Sequence, residues 1–213
     1  MVGATQVGAR GGSNETRDAL ETRRGALTRW LRPAGATGVL AAAGAIGATV
    51  AVAHSSPAPS RRDREVLDFL AGLEHLESSF YAAALSAGKL TGEPRQFAET
   101  VGREERSHLR DLTELLGGHG PSAGHYQFTS ALSSNAAFVA AAVRLEDTVV
   151  AAYNGQAENM SRQMLGRVAR IMSVESRHAA WARGLAGKLP APVAADSAID
   201  ADAAMTSLRP LLG

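Results

Sequence analysis

Cysteine is absent from all 213 residues. That excludes disulfides, thiolate metal sites, iron–sulfur clusters and a cysteine nucleophile together. It leaves the compartment open, since an exported protein need not contain cysteine. Any metal would have to be held by histidine and carboxylate, which points to iron, manganese or zinc rather than copper(I). A charge bias is also missing, with 22 Lys and Arg against 21 Asp and Glu. The chain therefore carries no overall signature of nucleic acid or of an anionic membrane as a partner. Period-two alternation is the third absence, so no sheet is expected.

What is present suits one domain plus extensions, and a hydrophobic content of 45% is enough for a sizeable core. Residues 1–33 are polar and rich in Gly, Thr and Arg, and include Arg23-Arg24. Residues 34–53 form an uncharged run of small and aliphatic residues ending in Ala51-Val52-Ala53. A basic segment, an apolar run and an A-x-A site in that order read as a secretory signal over residues 1–53. The arginine pair resembles a twin-arginine (Tat) signal, although Ala26 stands where a large apolar residue is usual. Twenty uncharged residues could also just span a bilayer, so a retained anchor is the alternative and the one route to a membrane. Export to the periplasm, cell wall or exterior is the expectation, with residues 54–61 as a linker.

Residues 62–188 read as four helical blocks, at about 62–87, 94–116, 135–154 and 161–187. Gly88, Gly117-Gly118 and Gly155 are the expected stops and Pro94 an expected first turn. Short connections join blocks one to two and three to four, as for antiparallel neighbours. About 17 residues, Gly118 to Ser134, separate blocks two and three. At about 3.3 Å per residue they can cross the length of a bundle. The predicted fold is an all-α four-helix bundle with one long crossover in the middle, and residues 189–213 form a tail on it.

Each block has one apolar stripe at helical spacing, and each stripe is interrupted by acid. Block one reads Leu67, Leu70, Glu74, Glu77, Tyr81, Leu85, and block two Phe97, Val101, Glu105, His108, Leu112, Leu115. Block three reads Val139, Val143, Glu146, Val149, Tyr153, and block four Met164, Val168, Ile171, Glu175, His178, Ala182, Leu185. A buried, unpaired carboxylate costs several kcal/mol, and four together repel one another. Two divalent ions carry four positive charges and would balance four glutamates, with His108 and His178 binding as neutral imidazoles.

Glu105 with His108, and Glu175 with His178, stand three apart, so each pair converges on one point. One Glu from each of two helices and a Glu-x-x-His from each of the other two is a dinuclear iron or manganese pattern. The expected ligands are Glu74, Glu105, His108, Glu146, Glu175 and His178, holding two ions of Fe or Mn, with Zn possible. Leu73-Glu74 precedes Tyr81 by the interval at which Leu145-Glu146 precedes Tyr153, so the halves read as two copies of one helix pair. Each Tyr can then support a ligand carboxylate on a neighbouring helix. Glu77, opposite Val149 in the repeat, reads as a substitute ligand or polar neighbour. Glu104, His75, His119 and His125 read as surface residues, and Phe80 and Trp181 as packing residues.

At LEHLESSFY (73–81), EERSHLRDL (104–112), LEDTVVAAY (145–153) and VESRHAAWA (174–182) the chain resembles the ferritin-like superfamily. Over residues 62–213 it looks closest to exported, desiccation-related members. The resemblance implies the same six ligands. It also implies a range of activities that includes ferroxidases, rubrerythrin-like peroxidases, manganese catalases and oxygenases, whose partners are metal ions with O2 or peroxide. A rubrerythrin with a cysteine-ligated iron centre is excluded by composition. The expected function is oxygen or peroxide handling, or metal sequestration, in stress protection. The alternative is a metal-stapled structural protein whose crossover presents Tyr126 and Phe128 as a contact surface. A homo-oligomer is compatible with either.

Overall fold

The computed structural model describes residues 58–122 and 124–212. The proposed signal or anchor, residues 1–53, lies outside the described residues. Five α-helices follow in order, with no strand among the described residues: α1 (Arg61–Ser86), α2 (Gly92–Leu115), α3 (Asn135–Gln156), α4 (Arg162–Leu185) and α5 (Ala201–Leu208). None is long and apolar enough to cross a membrane. The pairs α1–α2 and α3–α4 pack as neighbours, and α1 also meets α3 as α2 meets α4. The all-α bundle with a central crossover is the architecture that the helical spacing predicts.

Local chemistry sets the helix starts. Ser60 accepts from the Asp63 backbone N–H at 3.0 Å while Asp63 accepts from the Ser60 N–H at 3.1 Å, a reciprocal capping box. The other Asp63 oxygen accepts from the Ser161 N–H at 2.7 Å, and Ser161 itself caps α4. One carboxylate thus fixes the beginning of both the first and the fourth helix. Gly88 and Gly117, with φ of 67° and 78°, take the left-handed conformation just past α1 and α2.

The core is built from most of the predicted stripes together with neighbours beside them, such as Phe80, Phe138, Leu73 and Leu145. Phe80, Tyr81, Phe97 and Phe138 are fully buried, with Phe80 and Phe138 stacked at 5.4 Å between ring centres. Each such ring contributes roughly 2 kcal/mol by leaving water. Within the first pair, α1 and α2 come close where a side chain is missing: a Cβ on Gly102 of α2 would meet the Tyr81 Cβ at 2.8 Å.

Two sequence expectations change here. Gly155 does not end block three, because α3 runs on to Gln156. A Cβ at Gly155 would stand 1.8 Å from the Ile199 carbonyl oxygen, so its missing side chain admits the tail. The Ile199 N–H donates to the Ala151 carbonyl at 3.0 Å, α5 lies on α3, and Leu212 pairs with Tyr126 of the crossover. The crossover aromatics also turn inward. Phe128 is buried edge-on against Phe80, and Tyr126 hydrogen-bonds His75 at 2.9 Å. His75 is therefore half-buried rather than a surface residue, and Tyr126 and Phe128 do not form an outward contact patch.

Candidate metal centre

All six expected ligands converge midway along the bundle. Glu74, Glu105, Glu146 and Glu175 are fully buried, and His108 and His178 are 7% and 3% exposed. The Glu-x-x-His spacing turns both imidazole Nδ1 atoms inward. His108 Nδ1 lies 3.1 Å from Glu105, 2.7 Å from Glu175 and 3.5 Å from Glu74. His178 Nδ1 lies 2.8 Å from Glu105, 3.5 Å from Glu175 and 3.9 Å from Glu146.

Glu105 directs Oε1 to His178 and Oε2 to His108, and Glu175 does the reverse. These two carboxylates span the gap between the rings, while Glu74 and Glu146 each serve one side. Glu74, Glu105, His108 and Glu175 each offer one ligand atom within 4.8 Å of the others, and so do Glu105, Glu146, Glu175 and His178. Two overlapping four-donor sets share Glu105 and Glu175. The donors are oxygen and nitrogen only, a set suited to iron, manganese or zinc.

The tyrosines support this arrangement crosswise. Tyr81 of α1 donates to Glu146 of α3, and Tyr153 of α3 donates to Glu74 of α1. Burial, then the neighbouring carboxylates, pushes both phenols well above their usual range, so they remain donors. Each fixes one oxygen of a terminal carboxylate and leaves the other without a hydrogen-bond partner. Glu105 Oε1 and both Glu175 oxygens, whose close polar neighbours are the two imidazole nitrogens, are likewise buried here without a well-aligned hydrogen bond. Buried polar atoms are rarely left so, and a cluster of them facing inward is the chemistry of a site that accepts cations. The residues present therefore fit bound metal.

Protons balance the charge otherwise. Burial, followed by repulsion from neighbouring glutamates, holds Glu74, Glu77 and Glu146 well above the usual carboxylate range. Burial also opposes ionisation of Glu105, but hydrogen bonds from His108 and His178 outweigh it and hold Glu105 at about 2. Burial works against charge on the two histidines as well, and their bonds to Glu105 and Glu175 nevertheless hold both up at about 12.

Glu104 lies at the surface as expected, with its side chain 47% exposed, but it has a role the sequence did not show. It reaches across to accept from His178 Nε2 at 2.6 Å. A carboxylate there fixes the ring's tautomer and aims Nδ1 at the centre. Sequence spacing could not show this, because the bond depends on how far α4 sits from the edge of α2. Trp181 packs edge-on against Phe97, and Phe80 is fully buried, so both are packing residues.

Glu77 is fully buried, neither oxygen has a hydrogen-bond partner, and it belongs to neither four-donor set. Its repeat counterpart, Val149, occupies a fully buried position without polar atoms. Glu77→Val should therefore stabilise the metal-free protein by about 1–3 kcal/mol, since it removes a desolvated group and breaks no hydrogen bond. Denaturant unfolding of the metal-free variant measures this. A destabilised variant would mean that Glu77 has a partner the fold depends on.

An all-helical bundle with a crossover and a buried carboxylate–histidine cluster defines a class of metal-binding scaffolds. The sequence model of the ferritin-like domain family matches residues 62–188, more than half of the chain, and the protein belongs to that family. No individual curated protein matches it significantly.

Proposed function

We propose that this is an exported dinuclear metalloprotein, with iron or manganese, that handles O2 or peroxide or sequesters metal in stress protection. The observation that carries the reading is the sharing of Glu105 and Glu175 between two four-donor sets. A single-ion site needs no such pair of spanning carboxylates. Two such ions, when bound, supply redox chemistry and Lewis acidity toward small oxygen species.

The chain's own residues supply the rest. His108 and His178 present Nδ1 inward, with Glu104 fixing the second ring. Tyr81 and Tyr153 hold Glu146 and Glu74 against rotation. Leu70, Leu73, Val101 and Val149, all buried, belong to the apolar shell that keeps bulk water out. Export rests on residues 1–53, where a basic segment, an apolar run and Ala51-Val52-Ala53 follow in order.

The test is turnover by the metal-replete, full-length product recovered after secretion. Ferrous oxidation or peroxide consumption above the buffer rate is expected, with Glu175→Gln folded by circular dichroism but inactive. A metal-replete wild type no faster than buffer would leave sequestration or a structural role. A secreted chain beginning at His54 would match cleavage after Ala53, and retention in the cell would count against export.

A further inference from the structure

The two halves repeat each other at the centre but not around it. In the repeat that matches Glu105 to Glu175 and His108 to His178, Glu104 matches Val174, Asp111 matches Trp181 and Glu114 matches Gly184. On the His178 side Glu104 bonds the outer ring nitrogen, and Trp181 packs on Phe97 and bonds Glu93 at 3.3 Å. That side is closed. On the other side Val174 offers His108 no acceptor, and His108 Nε2 has no hydrogen-bond partner among the described residues. His108 instead lines a cleft of about 600 Å³ between α2 and α4, together with Asp111, Glu114, Arg167, Arg170 and Val174.

Three cation-binding side chains therefore follow one another along a single helix face. His108, Asp111 and Glu114 stand at successive three-residue steps, from the buried centre to the exposed last turn of α2. Carboxylates at a helix C-terminus oppose its dipole, whereas a cation there is favoured by it. Helix stability does not account for their position, but a passing cation does. Arg167 and Arg170 stand on the opposite wall, and Arg170 offsets part of the acid at the mouth. A mouth whose charge is partly offset admits a cation without holding it, as a route requires, while the centre beneath holds it.

We propose that this cleft is the route by which divalent cations reach and leave the centre, by way of Glu114, Asp111 and the outer edge of His108. The proposal rests on the reading of the centre as metal-binding, and it makes access one-sided. In the metal-free protein, Co2+ uptake followed by its visible absorbance should be slowed by Asp111→Asn with Glu114→Gln. The expected slowing is roughly five- to tenfold at low ionic strength and less at high salt, because steering by exposed charge is screened. Arg170→Ala should speed uptake, and Val174→Trp, which fills the cleft, should slow it at any salt. The final cobalt stoichiometry should be unchanged in all of them.

A wild type that takes up no cobalt overturns the centre. Cobalt uptake at wild-type speed in both the double variant and Val174→Trp overturns the route alone. Deuterium exchange at the imidazole C2 carbon, read by mass spectrometry without metal, gives a separate measurement. His108 should exchange faster than His178, and Val174→Trp should remove the difference. Equal exchange in the wild type overturns the route whatever the cobalt result.

Discussion

With the two ions proposed above, Glu105→Gln should take the metal content from two per chain toward none, whereas Glu74→Gln and Glu146→Gln should each leave one. The difference follows from sharing: Glu105 belongs to both four-donor sets, and Glu74 and Glu146 to one each. Losing the charge at Glu105 also removes a close anionic neighbour from each histidine, at 3.1 Å and 2.8 Å. Loss of a supporting partner alone typically weakens a metal site by about 10- to 100-fold, and loss of a spanning ligand should exceed that at both positions. Metal analysis after gel filtration, with circular dichroism to confirm the fold, gives the result. Equal losses in all three variants would mean that the four glutamates act as one diffuse acidic cluster.

The second large effect is on stability. The metal-free protein should lose stability as pH rises from about 5 to 8, and bound metal should reverse the trend. Glu74, Glu77 and Glu146 keep protons in the fold that the unfolded chain releases above the ordinary 4.5. His108 and His178 keep theirs up to about 12, while unfolded histidine releases its proton near 6.5. On both counts the fold binds more protons than the unfolded chain, so stability falls with rising pH. The histidine contribution is complete below 6.5 and lost by about 12.

Glu105 runs the other way: held at about 2, its contribution is complete above 4.5 and is lost progressively as pH falls from there through about 2. Maximum stability without metal should therefore lie near pH 4.5. Metal ions displace these protons, so loading removes the alkaline penalty. Without metal, Tm should drop by roughly ten degrees or more between pH 5 and 7.5, and with saturating Mn2+ it should rise over the same interval. A flat metal-free profile would show that the buried carboxyl groups are not protonated.

The six centre residues were legible because they violate a local rule. Acid in the middle of an apolar stripe has no explanation within one helix, so Glu74, Glu105, Glu146 and Glu175 point to one another before any coordinates exist. The helices and the crossover were legible for the opposite reason, because glycine stops and apolar spacing obey local rules. What stayed hidden depends on distances between elements. Glu104 is about 100° around the helix from Glu105, and only the position of α4 lets it reach His178. Gly155 reads as a helix stop because glycine often is one, but its role is set by Ile199, which arrives 44 residues later. His75 is covered by Tyr126 because the tail holds the crossover down through Leu212, a long-range pairing that no window of sequence contains.

The crosswise phenol bonds bear on how such a bundle can be assembled at all. Neither helix pair contains a complete set of hydrogen bonds for its own tyrosine or its own single glutamate, since each finds its mate in the other pair. In a lone pair that hydroxyl and that carboxylate would lie on an open face, satisfied by water. Drying either face therefore requires the other, because each pair brings the partners that replace the water lost by its mate.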